Sequence, residues 1–156
     1  LPVLMHNGMV VAQSGTMARY CSALSSLLPD KIEEQILSDM LHEHSNDIFS
    51  CLAKAKYSGD DFAQKVAWER VKAKDLPEKL KWLVKLLGDN TFFAGDELQA
   101  GDISVFSVLN IAFKAGLDNC LDNFPTLLSH YNTVSQIGNI PKYIEANYPP
   151  YIVVPK

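Results

Sequence analysis

The chain has 156 residues, a mass of 17.3 kDa, 47% hydrophobic and 21% charged residues, and a formal net charge of −4. This composition is typical of an ordinary globular protein, and the negative charge argues against nucleic acid as a partner because phosphates bind basic surfaces. No apolar run approaches the roughly 20 residues that span a membrane. Cys21, Cys51 and Cys120 are odd in number and lack metal-ligand spacing, which favours free thiols in the cytoplasm.

The chain begins with a predicted β-hairpin. Apolar runs lie on both sides of Asn7-Gly8, and Asn-Gly in that setting favours a type I′ turn with positive φ at both positions. A helix should follow from Ser14 to Ser26, with Ser14 as its N-cap. The position three residues after Ser14 holds no Glu or Gln, so the helix start is open to a carboxylate or phosphate. The alternative is that Ser14 only caps its own helix.

Helical periodicity dominates the rest of the chain. Pro29 marks a boundary, and Asp30 is placed to cap a long helix that ends near Tyr57, before a turn at 58–60. Further helices are expected at 61–74, from a restart at Leu76-Pro77 to Leu87, and at 102–114, 125–137 and 141–147. The helix at 102–114 is apolar almost all round, which is typical of the buried central helix of a bundle.

Seven short motifs occur along the chain in a specific order: Leu1-Pro2-Val3-Leu4, Asn7-Gly8, Ala12-Gln13-Ser14, Ala18-Arg19-Tyr20, Phe93-Ala94-Gly95-Asp96, Gly101–Phe106 and Cys120–Pro125. In this order and spacing they resemble the cytosolic glutathione transferases of the sigma and pi type. The resemblance implies a mainly α fold. Residues 1–28 would be the C-terminal half of a thioredoxin-like α/β domain, and residues 29–156 the all-α C-terminal bundle. Roughly the first third of the thioredoxin-like domain would lie upstream of this chain.

The resemblance implies a glutathione site in the opening stretch. Pro2 would be the cis proline of the family, since proline has a modest cis penalty, and the backbone of Leu1 would pair with the cysteinyl residue of glutathione. Gln13 and Ser14 would hold the γ-glutamyl end, with the Ser14 hydroxyl and the helix dipole facing its carboxylate. With the family in view, binding is favoured over simple capping for Ser14.

A homodimer is the second implication of the resemblance. Arg19 would lie at the subunit interface and pair with Asp39 of the neighbour, and Asp47 would reach across the dimer toward the γ-glutamyl amine. Tyr57 would line the pocket for the electrophile. The alternatives are an exposed arginine with an accidental partner, a solvent-facing Asp47, and a tyrosine that closes the bundle.

The histidines and cysteines of the bundle have simpler interpretations. His42 and His44 stand close to Asp47 in sequence, but residues two apart point to different faces of a helix. A solvated polar face is therefore favoured, and no metal is expected. Cys51 and Cys120 are interpreted as small buried hydrophobic residues.

One position departs from the family pattern at the start of the apolar helix. Gln99 stands where the family usually has Ser or Thr, three residues before Asp102. Glutamine is a poorer N-cap than either, so only half of the capping box is expected to survive. On this interpretation, Gln99→Thr should raise the melting temperature.

The catalytic group of the family is not assigned to any residue here. The family's chemistry needs a tyrosine, serine or cysteine on the first strand–helix turn, which favours the thiolate of glutathione. That turn would lie upstream of Leu1, so these residues alone are expected to be inactive. The resemblance implies a transferase that conjugates glutathione to small hydrophobic electrophiles, or a sigma-type prostanoid isomerase. The alternative is a non-catalytic interaction or structural module of the same fold.

Overall fold

The computed structural model describes residues 3–146. Its elements are β1 (Leu4–His6), β2 (Met9–Val11), α1 (Ser14–Ala23), α2 (Ile32–Lys56), α3 (Asp61–Arg70), α4 (Leu76–Leu87), α5 (Ala100–Lys114), α6 (Pro125–Val134) and α7 (Ile140–Glu145). The predicted fold class is confirmed: a small two-stranded sheet precedes a mainly helical bundle. Within the described part of the chain, no helix is long and apolar enough to cross a membrane.

The hairpin forms as its sequence predicts. Strands β1 and β2 are antiparallel, with Leu4 opposite Val11 and His6 opposite Met9. Asn7 and Gly8 have φ values of 48° and 77°, which is the type I′ geometry that matches the twist of the two strands.

The N-caps of α1 and α2 differ from prediction. Ser14 is already helical in α1, and the N-cap is Gln13, whose carbonyl accepts the first helical hydrogen bond from Met17 at 2.9 Å. The expectation that Ser14 is the N-cap is therefore wrong, because the chain turns into the helix one residue earlier. In α2 the N-cap is Lys31 rather than Asp30, since the Lys31 carbonyl accepts from Gln35 at 3.0 Å.

Helices α3 and α4 join without a break. The predicted helix does begin at Leu76 with Pro77 in its first turn. The chain does not break before it, because a π-helical turn, Val71–Asp75, connects the two helices. The Leu76 N–H donates to the Val71 carbonyl, five residues back. Proline has no N–H and clashes with the preceding turn of an α-helix, and the wider π turn accommodates Pro77 in a continuous helix.

The core lies between α2, α4 and α5. Its largest fully buried side chains are Trp68, Leu41, Ile48, Leu52, Leu76, Leu80, Leu83, Leu87, Leu109, Leu121 and Leu127. Helix α5 approaches α2 closely at Gly101, where an added Cβ would lie 2.7 Å from Leu41 Cδ1 and 3.0 Å from Ser38 Cα. The expectation that the 102–114 helix is the buried centre of the bundle is confirmed. Trp68 of α3 packs in the same core.

A buried carboxylate fastens the start of α5. Asp102 is 1% exposed, and it accepts hydrogen bonds from Gln99 N–H at 2.9 Å, Phe93 N–H at 3.0 Å and His130 Nε2 at 2.9 Å. These donors belong to the N-cap, to the loop before α5 and to α6. One side chain therefore joins the N-cap of α5 and the loop before it to α6, which lies further along the chain.

Gln99 is a better N-cap than its residue type predicts. The capping box between Gln99 and Asp102 is present, and Gln99 is buried with its amide nitrogen 3.1 Å from Glu34 Oε2 on α2. Because Gln99→Thr would lose this link to α2, the predicted gain in melting temperature no longer follows. Gln99 makes this contact because its side chain is longer than that of threonine and reaches Glu34 on α2.

We expect Asp102→Ala to lower the free energy of unfolding by about 3 kcal/mol or more, because three buried donors lose their acceptor. The measurement is the urea midpoint at constant slope. Asp96→Ala is the matched control: Asp96 is exposed in the same loop, and a change within about 0.5 kcal/mol is expected. Equal effects of the two substitutions would contradict this account.

Candidate functional site

The start of α1 is an open, strained turn. Gln13 has φ 70° and ψ 122°, which is uncommon for a residue other than glycine and is a form of strain concentrated at functional sites. Gln13 and Ser14 are both exposed. The first turn of α1 contains no acidic residue and Gln13 makes no side-chain capping bond. The positive end of this helix can therefore receive an external anion.

Two predicted residues of the site cannot be placed. Leu1 and Pro2 lie outside the described residues, so the pairing of the Leu1 backbone and the cis form of the Leu1–Pro2 bond stay predictions. The described residues of the predicted glutathione site are Gln13, Ser14 and Asp47.

A histidine on α2 supports the first turn of α1. A Cβ added at Gly15 would lie 3.1 Å from His42 Nε2, so a larger residue here would push against the His42 side chain. His42 Nδ1 lies 3.1 Å from Ser104 Oγ on α5, while its Nε2 is buried without a hydrogen-bond partner among residues 3–146. The interpretation of His42 as part of a solvated face is wrong, because α1 and α5 cover it.

Arg19 joins α1 to α2 within one chain. Its Nε donates to Asp39 Oδ1 at 2.7 Å and its Nη2 to Glu43 Oε1 at 2.8 Å. Hydrogen bonds from Asp39 and Glu43 raise the pKa of Arg19, and the bond from Arg19 lowers the pKa of Glu43. The predicted partner residue is thus right but belongs to the same subunit, because α1 folds directly against α2. A place for these residues at a subunit interface stays a prediction.

Asp47 lies on a different face of the bundle. It is exposed on α2 and lines an open groove of about 700 Å³ together with His44, Cys51, Arg70, Lys79 and Trp82. Neither Gln13 nor Ser14 lines this groove. The side chains predicted to bind the γ-glutamyl group are therefore not gathered around one cavity of a single subunit.

An aromatic pair forms part of this groove wall. The rings of His44 and Trp82 are 4.2 Å apart, and His44 Nε2 lies 3.0 Å from the Lys79 carbonyl. Burial lowers the pKa of His44 and raises that of the Cys51 thiol. His44 is therefore a half-buried packing residue rather than part of a solvated face.

Tyr57 follows the last residue of α2 and is 75% exposed. A tyrosine that closes the bundle would be buried, so that alternative is wrong. Its place in an electrophile pocket stays a prediction. His42 and His44 contact different helices, and residues 3–146 contain no group of three or more side chains arranged to hold a metal ion.

Comparison with known proteins identifies the family. A family model described as "Glutathione S-transferase, C-terminal domain" matches residues 46–147, more than half of the chain. The chain belongs to the glutathione S-transferase family. Among curated glutathione S-transferases, bovine Mu 1 is 29% identical over 150 residues, and rabbit Mu 1 is 31% identical over 152 residues. The alignment covers 94% of this chain but only 65% of each relative.

Solved structures show the same glutathione transferase fold. The Pi-class glutathione S-transferase of Onchocerca volvulus has a TM-score of 0.83 at 23% identity, covering 94% of this chain and 70% of that one. A prostaglandin synthase D of Nilaparvata lugens has a TM-score of 0.84 at 23% identity, covering 96% of this chain and 75% of that one. At these identities the likeness establishes the architecture alone.

The strain at Gln13 can be measured by comparing two substitutions. Gln13→Gly and Gln13→Ala both remove the side chain, but only glycine adopts positive φ freely. We expect the glycine variant to be more stable than the alanine variant by about 1 kcal/mol in urea unfolding. Equal stabilities would show that the turn relaxes and is not strained.

The ion pairs of Arg19 predict a pH dependence. A carboxyl whose pKa is lowered on folding stabilises the fold above its unfolded pKa, and this contribution is lost as the pH falls through its folded pKa. Stability should therefore fall less for Arg19→Gln than for the unmodified chain between pH 6 and pH 3. The difference should stay under about 1 kcal/mol, because these groups are exposed. Urea midpoints at several pH values test this, and parallel curves would contradict it.

Proposed function

We propose that this chain forms part of a glutathione-binding site and that the whole protein transfers glutathione to small hydrophobic electrophiles. The observation that supports this most is the exposed Gln13-Ser14 turn at the positive end of α1. Glutathione offers the α-carboxylate of its γ-glutamyl group, which a helix N-terminus and a serine hydroxyl can bind together. The family model, which matches residues 46–147, supports the same proposal from the helical part of the chain.

The sulfur-activating residue is proposed to lie in a longer polypeptide, upstream of Leu1. An apolar face of the hairpin supports this, since Val3, Met5 and Val10 are 54%, 74% and 62% exposed. The helices of a thioredoxin-like α/β domain would cover such a face. The intact mass of the natural protein tests the proposal, because a mass near 17.3 kDa would refute it.

The electrophile pocket, the reaction and the transferase class are further parts of the proposal. Tyr57 is proposed to border the electrophile pocket, since its exposed ring is available to an apolar molecule. Isomerisation of a prostanoid is the alternative reaction, suggested by the name of the Nilaparvata lugens neighbour. The sigma- or pi-like class stays a prediction, because the curated relatives cited above are named Mu.

The free thiols Cys21, Cys51 and Cys120 support a cytoplasmic location.

A homodimer is proposed from the outer face of α2. Ile32, Ile36 and Met40 are spaced one helical turn apart, and all three are exposed. Ile36 and Met40 line a groove of about 560 Å³ with Trp82. An apolar stripe beside such a groove is typical of a subunit interface. In this arrangement Arg19 and Asp39 border the interface, and Asp47 reaches the glutathione of the neighbouring subunit.

A non-catalytic interaction module is the competing function. A scaffold does not need an open anion-binding turn, so retention of Gln13, Ser14 and Asp47 favours ligand binding. Binding to glutathione resin together with conjugation of a chromogenic electrophile by the natural protein would support the transferase. Binding without turnover would support the module.

Ser14→Ala should weaken glutathione binding by about tenfold, because one charge-assisted hydrogen bond to the carboxylate is lost. Calorimetric titration of the natural protein measures the effect. Thr16→Ala serves as the control, since Thr16 is exposed in the same first turn, and its affinity should not change. Equal affinities for the Ser14→Ala variant and the unmodified protein would remove Ser14 from the site.

The proposed contribution of Asp47 across the dimer predicts complementation between two variants that each bind glutathione weakly. If a site uses Ser14 of one subunit and Asp47 of the other, a heterodimer of Ser14→Ala and Asp47→Asn subunits has one intact site and one doubly altered site. Mixing and reassociating the two homodimers should therefore restore high-affinity glutathione binding to about one site per heterodimer. No restoration would show that Asp47 acts within its own subunit or not at all.

A further inference from the structure

The first turn of α1 faces the bundle at one residue. Gln13, Ser14 and Thr16 are exposed, whereas Gly15 is half-buried. The N–H groups of a first helical turn have no partner within the helix, and they are the donors that a carboxylate would meet. The position of these donors therefore depends on what lies beneath Gly15.

Two side chains lie beneath Gly15. A Cβ at this position would be 3.1 Å from both His42 Nε2 and Arg19 Nη1, which is closer than ordinary van der Waals contact. Arg19 has little freedom to move aside, because its Nε and Nη2 are bonded to Asp39 and Glu43. The approach of α1 to the bundle is therefore limited at this point.

His42 is held in place as well. The Ser104 hydroxyl donates to the Ala100 carbonyl at 3.1 Å, so its oxygen accepts the hydrogen bond from His42 Nδ1, also at 3.1 Å. In the neutral ring this assigns the proton to Nδ1 and leaves a lone pair on Nε2.

The Nε2 atom of His42 makes no hydrogen bond of its own. It is buried and has no partner among residues 3–146. A buried acceptor without a donor is uncommon and costs free energy. The place of this ring is therefore better explained by its contact with Gly15 than by a contribution to stability.

We propose that His42 is a positioning residue for the glutathione site. Its contact with Gly15 fixes the first turn of α1, so that Ser14 and the free N–H groups of the turn face the γ-glutamyl carboxylate. His42 itself does not touch glutathione. This role rests on the proposed function, because it concerns how the same site is held.

Gly15→Ala tests the contact. The added methyl group meets two restrained side chains and should displace the turn, so glutathione binding should weaken by about fivefold. Calorimetric titration of the natural protein with glutathione measures the affinity. The backbone amide signal of Ser14 in the NMR spectrum should shift as well. An unchanged affinity would overturn the role of His42.

His42→Asn provides the compensating change. The asparagine amide can keep the bond to Ser104 but has no atom at the position of Nε2, so it makes room for a methyl group on residue 15. The double variant, Gly15→Ala with His42→Asn, should therefore recover most of the lost affinity. If His42 only stabilised the bundle, loss of its ring would make the double variant bind less well than Gly15→Ala alone.

His44→Asn is the matched control. His44 lies on the same helix, but it contacts Lys79 and Trp82 of α4 rather than α1. Gly15→Ala combined with His44→Asn should bind glutathione no better than Gly15→Ala alone. Equal recovery with His42→Asn and His44→Asn would overturn the role of His42.

The outcomes separate the role of His42 from the proposed function. If the natural protein binds glutathione and Ser14→Ala weakens this binding, but His42→Asn restores nothing to Gly15→Ala, the role of His42 is wrong and the proposed function stands. If the natural protein does not bind glutathione, both are wrong.

Discussion

The buried carboxylate of Asp102 is the interaction on which the rest of this structure depends. Its three donors come from the N-cap of α5, the loop before α5 and helix α6. A buried carboxylate is costly unless it is fully hydrogen-bonded, so the three segments must be correctly placed together or the bundle does not close. Helix α5 in turn presents Gly101 to α2, and α2 holds the side chains that face α1.

Helix α1 rests on the bundle through small and polar contacts. Gly15 allows α1 to approach His42, and Arg19 pairs with Asp39 and Glu43 on α2. These contacts position the helix without covering its N-terminus. Gln13 keeps its uncommon backbone conformation, and Ser14 stays exposed at the start of the helix.

The functional features lie on separate faces of one scaffold. The open Gln13-Ser14 turn is at the start of α1, and the groove with Asp47 is bordered by α2, α3 and α4. A proposed site that needs both Ser14 and Asp47 is consistent with the chain's membership of the family and with the apolar outer face of α2. The geometry of one subunit therefore makes dimerisation part of the proposed binding mechanism.

Local sequence determined the hairpin, the helices and the family, because Asn-Gly, proline boundaries and helical periodicity act over a few residues. It also identified Arg19 and Asp39 as partners. Only the tertiary structure decided that the pair forms within one chain, and that π geometry accommodates Pro77 in a continuous helix. The reach of Gln99 to Glu34 likewise depends on a neighbour far away in sequence, and such contacts override residue preference.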